Sequence, residues 1–328
     1  MEKVAKVYFA PVSDFRNTPA VSEAANHLLK KLIFDFPKVM PLKVHFGERG
    51  NSTFLRPENF EGVKAFLRKC GVDTCYMETN VVYKGSRMNT GNHIKIAHEH
   101  GFLDLPIIIA DDKGFIEIEI DGKYFKKCQI GKSFGEYEGF VVLSHFKGSK
   151  ITGFGGAIKQ LGMGFASKQG KFEQHSDNLP VVNKDVCIQC DLCGQRCPVG
   201  AIKFGKINSG CFGCADCLSE CPTNAISCDW AGTNFLEKLA EYAYAAAKDK
   251  RNVYVNYAGM IAQDCDCKGR EFPIVAKDIG VMVSTDAVAI DTAALDLVAH
   301  EPFEFGREAL KYAEKIGLGS TKYEIEEV

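Results

Sequence analysis

The chain has 328 residues, 46% of them hydrophobic, which is enough for one large or two ordinary domains with their own cores. Its 40 Lys and Arg residues nearly balance its 42 Asp and Glu residues, and no long basic stripe is present, so nucleic acid is not an expected partner. No apolar run approaches the roughly 18 residues that span a bilayer, and the first residues lack a signal-peptide pattern. We therefore expect a cytoplasmic protein with no membrane partner.

The first half of the chain alternates β-rich apolar runs with helical patterns, which favours βα units around a largely parallel sheet. Strands are predicted near 4–9, 39–46, 73–78, 106–110 and 139–145, and helices near 21–34, 57–70 and 92–100. A hairpin over 115–126 is predicted to turn at Asp121-Gly122. Towards the C-terminus we predict a helix near 233–248, strands near 252–257 and 280–284, and a helix to about 299 that Thr285 or Asp286 caps.

Eight of the 14 cysteines lie within residues 187–221, in two copies of one pattern. Cys187 to Ile202 and Cys211 to Ile226 both read C-x2-C-x2-C-x3-C-P-x2-A-I. Clustered cysteines in a reducing compartment usually bind metal, and this run with its C-P ending is the bacterial ferredoxin signature for [4Fe–4S] clusters. The sequence therefore predicts two [4Fe–4S] clusters and an electron-transfer role.

In two-cluster ferredoxins, the cysteine before each proline binds the other cluster. We therefore expect one cluster on Cys187, Cys190, Cys193 and Cys221, and the second on Cys211, Cys214, Cys217 and Cys197. Structural zinc is the alternative, but a zinc site needs neither the third cysteine step nor the repeated C-P. The scattered cysteines are interpreted as small buried hydrophobic residues, namely Cys70, Cys75, Cys128 and Cys228.

The simplest architecture is an α/β fold, a largely parallel sheet with helices, that carries an inserted ferredoxin-like 2[4Fe–4S] module. Residues 1–180 and 229–328 would form one discontinuous α/β domain, and residues 181–228 would form the insert. The strands after the insert are expected to rejoin the sheet formed by the earlier ones. We prefer this arrangement to three separate domains in a row.

Ligands of open α/β sheets bind beyond the carboxyl ends of the strands, and polar side chains are expected there. Two predicted strands each deliver a histidine followed by a cation, and a third is followed by two cations. The residues are His45 and Arg49, His145 and Lys147, and Lys84 and Arg87.

We expect His45 and His145 to be catalytic, as proton donors to a small anionic substrate beside the electron source. The substrate's carboxylate or phosphate would be bound by cations and by a histidine just before the cysteine module: Arg49, Lys84, Arg87, Lys147 and His175. The alternative is that each strand-end histidine only hydrogen-bonds nearby backbone.

A glycine-rich segment, ITGFGGAIKQLGMG at 151–164, leads into a short helical stretch. Exposed N–H groups at its start could hold an anion. It lacks G-x-G-x-x-G, so close packing against the insert explains it equally well, and we infer no nucleotide cofactor from it.

The DCDC segment at 264–267 places two thiols, Cys265 and Cys267, on alternate residues. On an extended loop both sulfurs could approach one metal ion or each other, so a third metal or redox site is one interpretation and a structural role is the other. The flanking aspartates are expected to raise the pKa values of both thiols.

With these residues in view, the whole chain resembles the uncharacterised iron–sulfur-centre proteins grouped as domain of unknown function 362. The matching stretches are the paired cysteine motifs and KVHFGERGN (43–51), TNVVYKGSR (79–87), VLSHFKG (142–148), GFGGAIKQLGMG (153–164), EQHS (173–176) and DCDC (264–267). The resemblance implies two clusters and a single α/β domain with an insert, and it adds no substrate. After Lys147 the sequence lacks a second histidine that some relatives carry, so no His/His metal pair is expected there.

Two functions fit these observations. The first is a ferredoxin-dependent reductase whose clusters feed electrons to the anionic substrate, with a redox partner protein as the electron source. The second is a non-enzymatic electron-transfer or redox-sensing protein. The position of the histidines and cations discriminates between them, because a reductase requires them to line one pocket near a cluster.

Overall fold

The structure of the protein is a computed structural model. It describes residues 4–176, 179–214, 216–228 and 234–328. The strands in these ranges are β1 (Ala5–Pro11), β2 (Leu42–Lys43), β3 (Tyr76–Glu78), β4 (Ile107–Ile109), β5 (Phe115–Glu119), β6 (Lys127–Gly131), β7 (Val141–His145), β8 (Lys147–Ser149), β9 (Gly153–Gly155), β10 (Val181–Val182), β11 (Ile202–Lys203), β12 (Lys206–Ile207), β13 (Ile226–Ser227), β14 (Val253–Ala258), β15 (Gly280–Ser284) and β16 (Tyr323–Glu327). The α-helices are α1 (Thr18–Leu29), α2 (Glu61–Lys69), α3 (Thr90–Glu99), α4 (Ala157–Gly162), α5 (Lys168–His175), α6 (Leu192–Arg196), α7 (Asp216–Glu220), α8 (Phe235–Ala247), α9 (Ala287–Val298) and α10 (Arg307–Lys315).

Eight strands form one sheet in the order β16-β1-β15-β14-β7-β2-β3-β4. The five strands from β14 to β4 pair in parallel, and β1 is parallel to β16. Only β15 runs against its neighbours β1 and β14 among the described strands. The fold is therefore α/β with a largely parallel sheet, as the alternating pattern predicted. Strands β14 and β15 follow the cysteine module in the sequence, yet they lie between β1 and β7.

Helices cover both faces of this sheet. One apolar core packs α4, α8, α9 and α10 against side chains such as Val142, Tyr254 and Met282. The other packs α1, α2 and α3 against side chains such as Val141 and Val255. Successive residues of a strand point to opposite faces, so strands buried on both sides read as continuous apolar runs.

Local signals explain where several helices begin. Asn17 caps α1 by accepting the N–H of Ala20, and the buried face of that helix is apolar. Asp286 caps α9 by accepting the N–H groups of Val288 and Ala289, as predicted. The predicted start of α8 at residue 233 lies outside the described residues, and the helix is present from Phe235.

The predicted hairpin is longer than expected and its turn differs. Strand β5 pairs with β6, and Ile120 still donates its N–H to the Lys126 carbonyl, so the loop lies between these two residues. The buried carboxylate of Glu241 in α8 accepts the backbone N–H groups of residues 123–125. A tight two-residue Asp-Gly turn would need no such partner. The wider loop seen here is held by the Glu241 carboxylate, which is distant in the sequence.

The cysteine module has a small core and two short ladders of its own. Strand β10 pairs with β13, and β11 pairs with β12. Its buried core contains Cys193, Ile202, Cys217 and Ile226, two from each repeat.

Within the described ranges, no helix combines the length and apolar character that crossing a bilayer requires.

Candidate functional site

The first set of expected cluster ligands surrounds a small cavity in the module. Cys187, Cys190, Cys193 and Cys221 all line it, together with Pro222 and apolar neighbours. The last of these cysteines comes from the second repeat, as crossed ligation requires. The arrangement fits a [4Fe–4S] cube on these four thiolates.

The two C-P cysteines have matching environments in the two repeats. Cys197 Sγ accepts the N–H of Ala201 at 3.2 Å, and Cys221 Sγ accepts the N–H of Ala225 at 3.2 Å. Backbone N–H groups that point at sulfur stabilise cluster thiolates and tune their potential. Burial raises the pKa of Cys214 to about 11, and nearby Cys197 adds to the shift, which places Cys197 beside the second motif.

A preformed zinc site does not match this geometry. Zinc requires its ligands about 2.3 Å from one point. In the described parts of the chain, no three His, Cys, Asp or Glu side chains converge in that way.

Cys228 lies close to the second motif, although its position in the sequence suggested only a small buried residue. Burial raises the pKa of Cys228 to about 12, and the neighbouring sulfurs of Cys211 and Cys214 contribute. The sequence carried no signal for this, because the equivalent position in the first repeat is Phe204.

A cavity of about 140 Å³ lies at the carboxyl ends of the parallel strands. Strand β7 ends at His145, which lines this cavity. The segments after β2 and β3 supply His45 and Arg87, and the segment after β14 supplies Cys265 and Cys267. Helices α4 and α5 add Lys159, Lys171 and His175. Cys214 of the module completes one wall, so the cavity adjoins an expected ligand of the second cluster.

The cavity is positively charged. Five cations line it, whereas Glu78 supplies a carboxylate; the cations are Arg87, Lys147, Lys159, Lys171 and Lys268. In the described residues Lys159 and Lys171 hydrogen-bond only neutral oxygens, such as Ser149 Oγ at 2.8 Å from Lys159. Their charges are therefore available to an anion in the cavity.

Arg87 is buried between two carboxylates. Its Nε lies 3.4 Å from Glu48 Oε2, and its Nη1 lies 3.7 Å from Glu78 Oε1. It also donates to the hydroxyl of Tyr83. The guanidinium is thereby fixed at the cavity wall.

His145 has no free ring nitrogen. Its Nε2 lies 2.8 Å from the carbonyl oxygen of Gly259, which can only accept, so Nε2 carries a proton. Its Nδ1 lies 2.8 Å from Asp266 Oδ2. Although burial opposes it, the nearby His145 and Lys147 hold the pKa of Asp266 well below its usual range. Both ring nitrogens of His145 thus have partners in the protein, and its proposed role in proton transfer stays a prediction.

His45 is a neutral donor. Its Nδ1 accepts the N–H of Gly47 at 3.1 Å, which places the ring proton on Nε2. Burial, Arg87 and Lys147 hold the pKa of His45 well below its ordinary value. Nε2 has no partner in the described part of the chain and is the atom that a cavity ligand would meet.

Lys171 was not anticipated from the sequence. It reaches from α5 to Thr79 Oγ1 at 2.6 Å and to the carbonyls of Ala166 and Asn80 at 2.7 and 2.8 Å. Burial lowers the pKa of Lys171 to about 8, so it remains mostly charged at neutral pH. A lysine on a helix with no motif around it gives no sequence signal.

His175 lies in the cavity wall beside Phe235, with ring centroids 4.8 Å apart. Burial lowers the pKa of His175 to about 4, helped by Lys159, so the ring is neutral.

Two expected substrate ligands lie elsewhere. Arg49 is exposed and pairs with Glu99 at 2.6 Å. Lys84 donates to the carbonyl of Gln195 in the module at 3.0 Å, at an exposed position. The loops after β2 and β3 turn these side chains away from the cavity, although their neighbours His45 and Arg87 line it.

The glycine-rich segment does not offer a free anion site. Asp291 Oδ1 accepts the N–H of Ala157 at 2.7 Å, and its Oδ2 accepts the N–H of Ile158 at 2.8 Å, so a carboxylate of α9 already occupies the start of α4. A Cβ at Gly156 would lie 2.3 Å from Asp291 Oδ1, so glycine is required for this close packing.

Known proteins resemble parts of this chain. Pyruvate synthase subunit PorD of Methanothermobacter marburgensis is 36% identical over 78 residues, which cover 23% of this chain and 93% of that one. The NADH-dependent phenylglyoxylate dehydrogenase subunit delta of Aromatoleum evansii is 38% identical over 48 residues, 13% of this chain and 52% of that one. Together with the duplicated cysteine motif, these similarities make the chain an iron–sulfur protein with a redox role.

Two solved structures resemble the fold at low identity. A Thermotoga maritima protein has a TM-score of 0.44 at 9% identity, over 91% of this chain and 59% of its own. The lactate racemase apoprotein of Thermoanaerobacterium thermosaccharolyticum has a TM-score of 0.37 at 10% identity, over 77% of this chain and 50% of its own.

One family model spans most of the sequence, including the strands on both sides of the cysteine module and the segments around the cavity. It matches residues 41–296 and is described as Domain of unknown function (DUF362). The protein belongs to this family.

Proposed function

We propose that the chain is a reductase that binds two [4Fe–4S] clusters and delivers electrons to a small anionic substrate in the cavity at the carboxyl edge of the sheet. The observation that carries the proposal is that Cys214, an expected cluster ligand, lines the same cavity as five cations. Residues 1–180 and 229–328 would act as one discontinuous α/β domain that binds the substrate, and residues 181–228 would hold the clusters.

The clusters, when bound to the eight cysteines of the two motifs, supply single electrons. The chain's own residues would bind and orient the substrate. Lys159 would meet its carboxylate or phosphate with charge-assisted hydrogen bonds. Lys171, whose three N–H donors are used by Thr79, Asn80 and Ala166, would attract the anion through its charge alone. His45 would donate its Nε2 proton in a hydrogen bond to a substrate oxygen, and the His145–Asp266 pair would hold Lys147 in place, with Asp266 Oδ2 3.2 Å from Lys147 Nζ.

The electron source would be a redox partner protein. Both relatives are named as subunits, one of pyruvate synthase and one of phenylglyoxylate dehydrogenase, which supports such a partner. Cys190 is exposed, and the nearby residues Val186, Ile188 and Leu192 in the sequence also have exposed side chains. We propose that the partner approaches this end of the module. Ile188→Asp should then slow reduction by a protein donor and leave reduction by a small dye unchanged.

The cytoplasm is the proposed location, because reduced clustered cysteines persist in a reducing compartment.

Anaerobic purification followed by iron and sulfide analysis tests the cluster assignment. Roughly eight iron and eight sulfide per chain are expected, since each cube holds four of each. Iron-free protein loaded with zinc would contradict it. Native mass spectrometry of the same sample would identify any anion that co-purifies.

A matched pair of variants tests the cavity. Lys159→Met removes a cation that lines it, whereas Arg49→Met removes an exposed one. Titration with small carboxylates and phosphates should show about tenfold or greater loss of affinity for Lys159→Met only, the size expected for a hydrogen bond to a charged group. Equal behaviour of the two variants would contradict the substrate site. A ligand that binds and is never reduced would favour the sensing alternative.

A further inference from the structure

The DCDC segment forms a tight turn that faces the cavity. Lys268 donates its N–H to the Cys265 carbonyl at 3.0 Å, which closes the turn. Cys267 donates its N–H to Cys265 Sγ at 3.3 Å, so the backbone of one cysteine lies against the sulfur of the other. Both cysteines line the cavity. Since consecutive Cα atoms are only about 3.8 Å apart, two residues separated by one residue in a bent segment can come within the roughly 4.4–6.8 Å that a disulfide needs.

A metal ion does not account for this pair. Two sulfurs leave a soft metal such as zinc short of the three or four protein ligands it usually takes. Throughout the described ranges, no third His, Cys, Asp or Glu side chain converges with Cys265 and Cys267 on one ion position. The contact that the two residues do make is with each other, from the Cys267 N–H to Cys265 Sγ.

The surroundings favour a reactive thiolate. The hydrogen bond from Cys267 holds the pKa of Cys265 well below its ordinary value against burial, and Lys159 and Lys147 contribute. The flanking Asp266 opposes this less than the sequence suggested, because His145 and Lys147 engage its carboxylate. A lowered pKa on Cys265 favours its thiolate, the form that attacks in disulfide exchange.

The turn is also tied to the second cysteine motif. Lys268 Nζ lies 3.1 Å from Asp216 Oδ1, and both side chains are largely buried. Asp216 lies between Cys214 and Cys217 in the sequence. The dithiol is thus linked by a buried ion pair to the segment expected to hold the nearer cluster.

We propose that Cys265 and Cys267 form a redox-active dithiol that cycles to an intramolecular disulfide inside the cavity. Reduction breaks the S–S bond with two electrons and one proton: the proton goes to Cys267 and Cys265 remains a thiolate. The two electrons come singly from the reduced iron–sulfur clusters of the module. Oxidation reverses these changes. The inference rests on the proposed function only in taking the module as the electron source.

Holo-protein under anaerobic conditions provides the test. Protein oxidised with thionine, and protein then reduced by a photochemical one-electron donor, are each denatured in iodoacetamide and mapped by mass spectrometry. Residues 265 and 267 should be linked and unalkylated in the first sample and alkylated in the second. In a coulometric reductive titration, the wild type should take up two electrons more than Cys265→Ser/Cys267→Ser. Cys70→Ser, which alters an exposed cysteine outside the cavity, should keep the wild-type count.

Full alkylation of both cysteines in the oxidised sample overturns the proposal without needing a variant. Equal electron counts in the wild type and the double variant, with unchanged cluster spectra, also overturn it. A metal ion that the wild type retains and the double variant loses would overturn it as well. Anion titration of the fully reduced wild type distinguishes a failure of the dithiol proposal from a failure of the proposed function. Lost anion binding with the two-electron difference intact would reject only the substrate site, and the reverse outcome would reject only the dithiol.

Discussion

The cysteine module and the cavity are assembled in different ways. All eight expected ligands of the module lie within residues 187–221, and four buried side chains form the core beneath them. The cavity instead collects side chains from positions as distant as His45 and Lys268. These side chains come from separate segments of the chain, so the cavity is complete only once the sheet has formed.

The two regions also treat charge differently. The module presents thiols near its surface, with Cys190 exposed. The cavity buries Arg87, Glu48 and Glu78 as a connected set of ion pairs. A buried charge that loses its partner is costly, whereas an exposed one is not. A substitution in the module should therefore act on one cluster, and a substitution among the buried charges should act on the whole sheet.

The largest expected effect is on the module. Cys221→Ala should disturb the cluster held by Cys187, Cys190 and Cys193, because the fourth ligand comes from the other repeat. Iron should fall from roughly eight to roughly four per chain, one cube's content. Electron paramagnetic resonance identifies which cluster is lost, and exposed Cys70 provides a Cys70→Ala control. Loss confined to the cluster of Cys211, Cys214 and Cys217 would show that the pairing is not crossed.

The next largest effect concerns buried charge. Arg87→Met should destabilise the fold by about 3–5 kcal/mol, because Glu48 and Glu78 lose their buried partner. Arg49→Met removes the same side chain from an exposed pair and should cost about 0–1 kcal/mol. Anaerobic denaturant titrations of both variants measure the difference. Similar midpoints for the two variants would mean that the cavity's charges do not support the sheet.

A smaller effect is expected at the hydrogen-bond donor of the cavity. His45→Ala should weaken anion binding by about tenfold or more, the value of a hydrogen bond to a charged group. His27→Ala, on the exposed side of α1, serves as the control. Because the pKa of His45 lies well below its ordinary value, wild-type affinity should show no step near the usual histidine pKa. If wild-type affinity did change near the usual histidine pKa and His45→Ala abolished that change, His45 would gain and lose a proton in this range. That result would support a role for His45 in proton transfer.

The smallest effect is a pH dependence. Lys171 is charged below its pKa of about 8 and loses its proton as the pH rises through that value. Anion affinity should therefore be constant below pH 8 and fall above it, by at most about tenfold per pH unit for one proton. Lys171→Met should bind more weakly and lose this dependence. Lys147→Met should keep it, because Asp266 and the neighbouring cysteines raise the pKa of Lys147 despite burial. A profile unchanged in Lys171→Met would assign the titration to another group.

The ligand assignment in the module could be predicted from sequence spacing because its geometry is local. Two-residue steps between cysteines and the repeated C-P specify which thiols can reach one cube, and the small cavity around Cys187, Cys190, Cys193 and Cys221 agrees with that pairing. The alternation of apolar runs likewise predicted the α/β fold and most of its elements. Where elements differed, a distant partner was responsible, as with Glu241 and the hairpin loop.

The cavity shows what the sequence by itself could not determine. Strand ends placed His45, His145, Arg87 and Lys147 at one edge of the sheet, since the carboxyl ends of parallel strands meet there. Only the tertiary structure decided that Arg49 turns away and that Lys171 enters from a helix. It also decided the hydrogen-bond partners of the two histidines. Side-chain direction in loops and the pKa of buried groups depend on neighbours far apart in the sequence, and these neighbours are defined only once the sheet has formed.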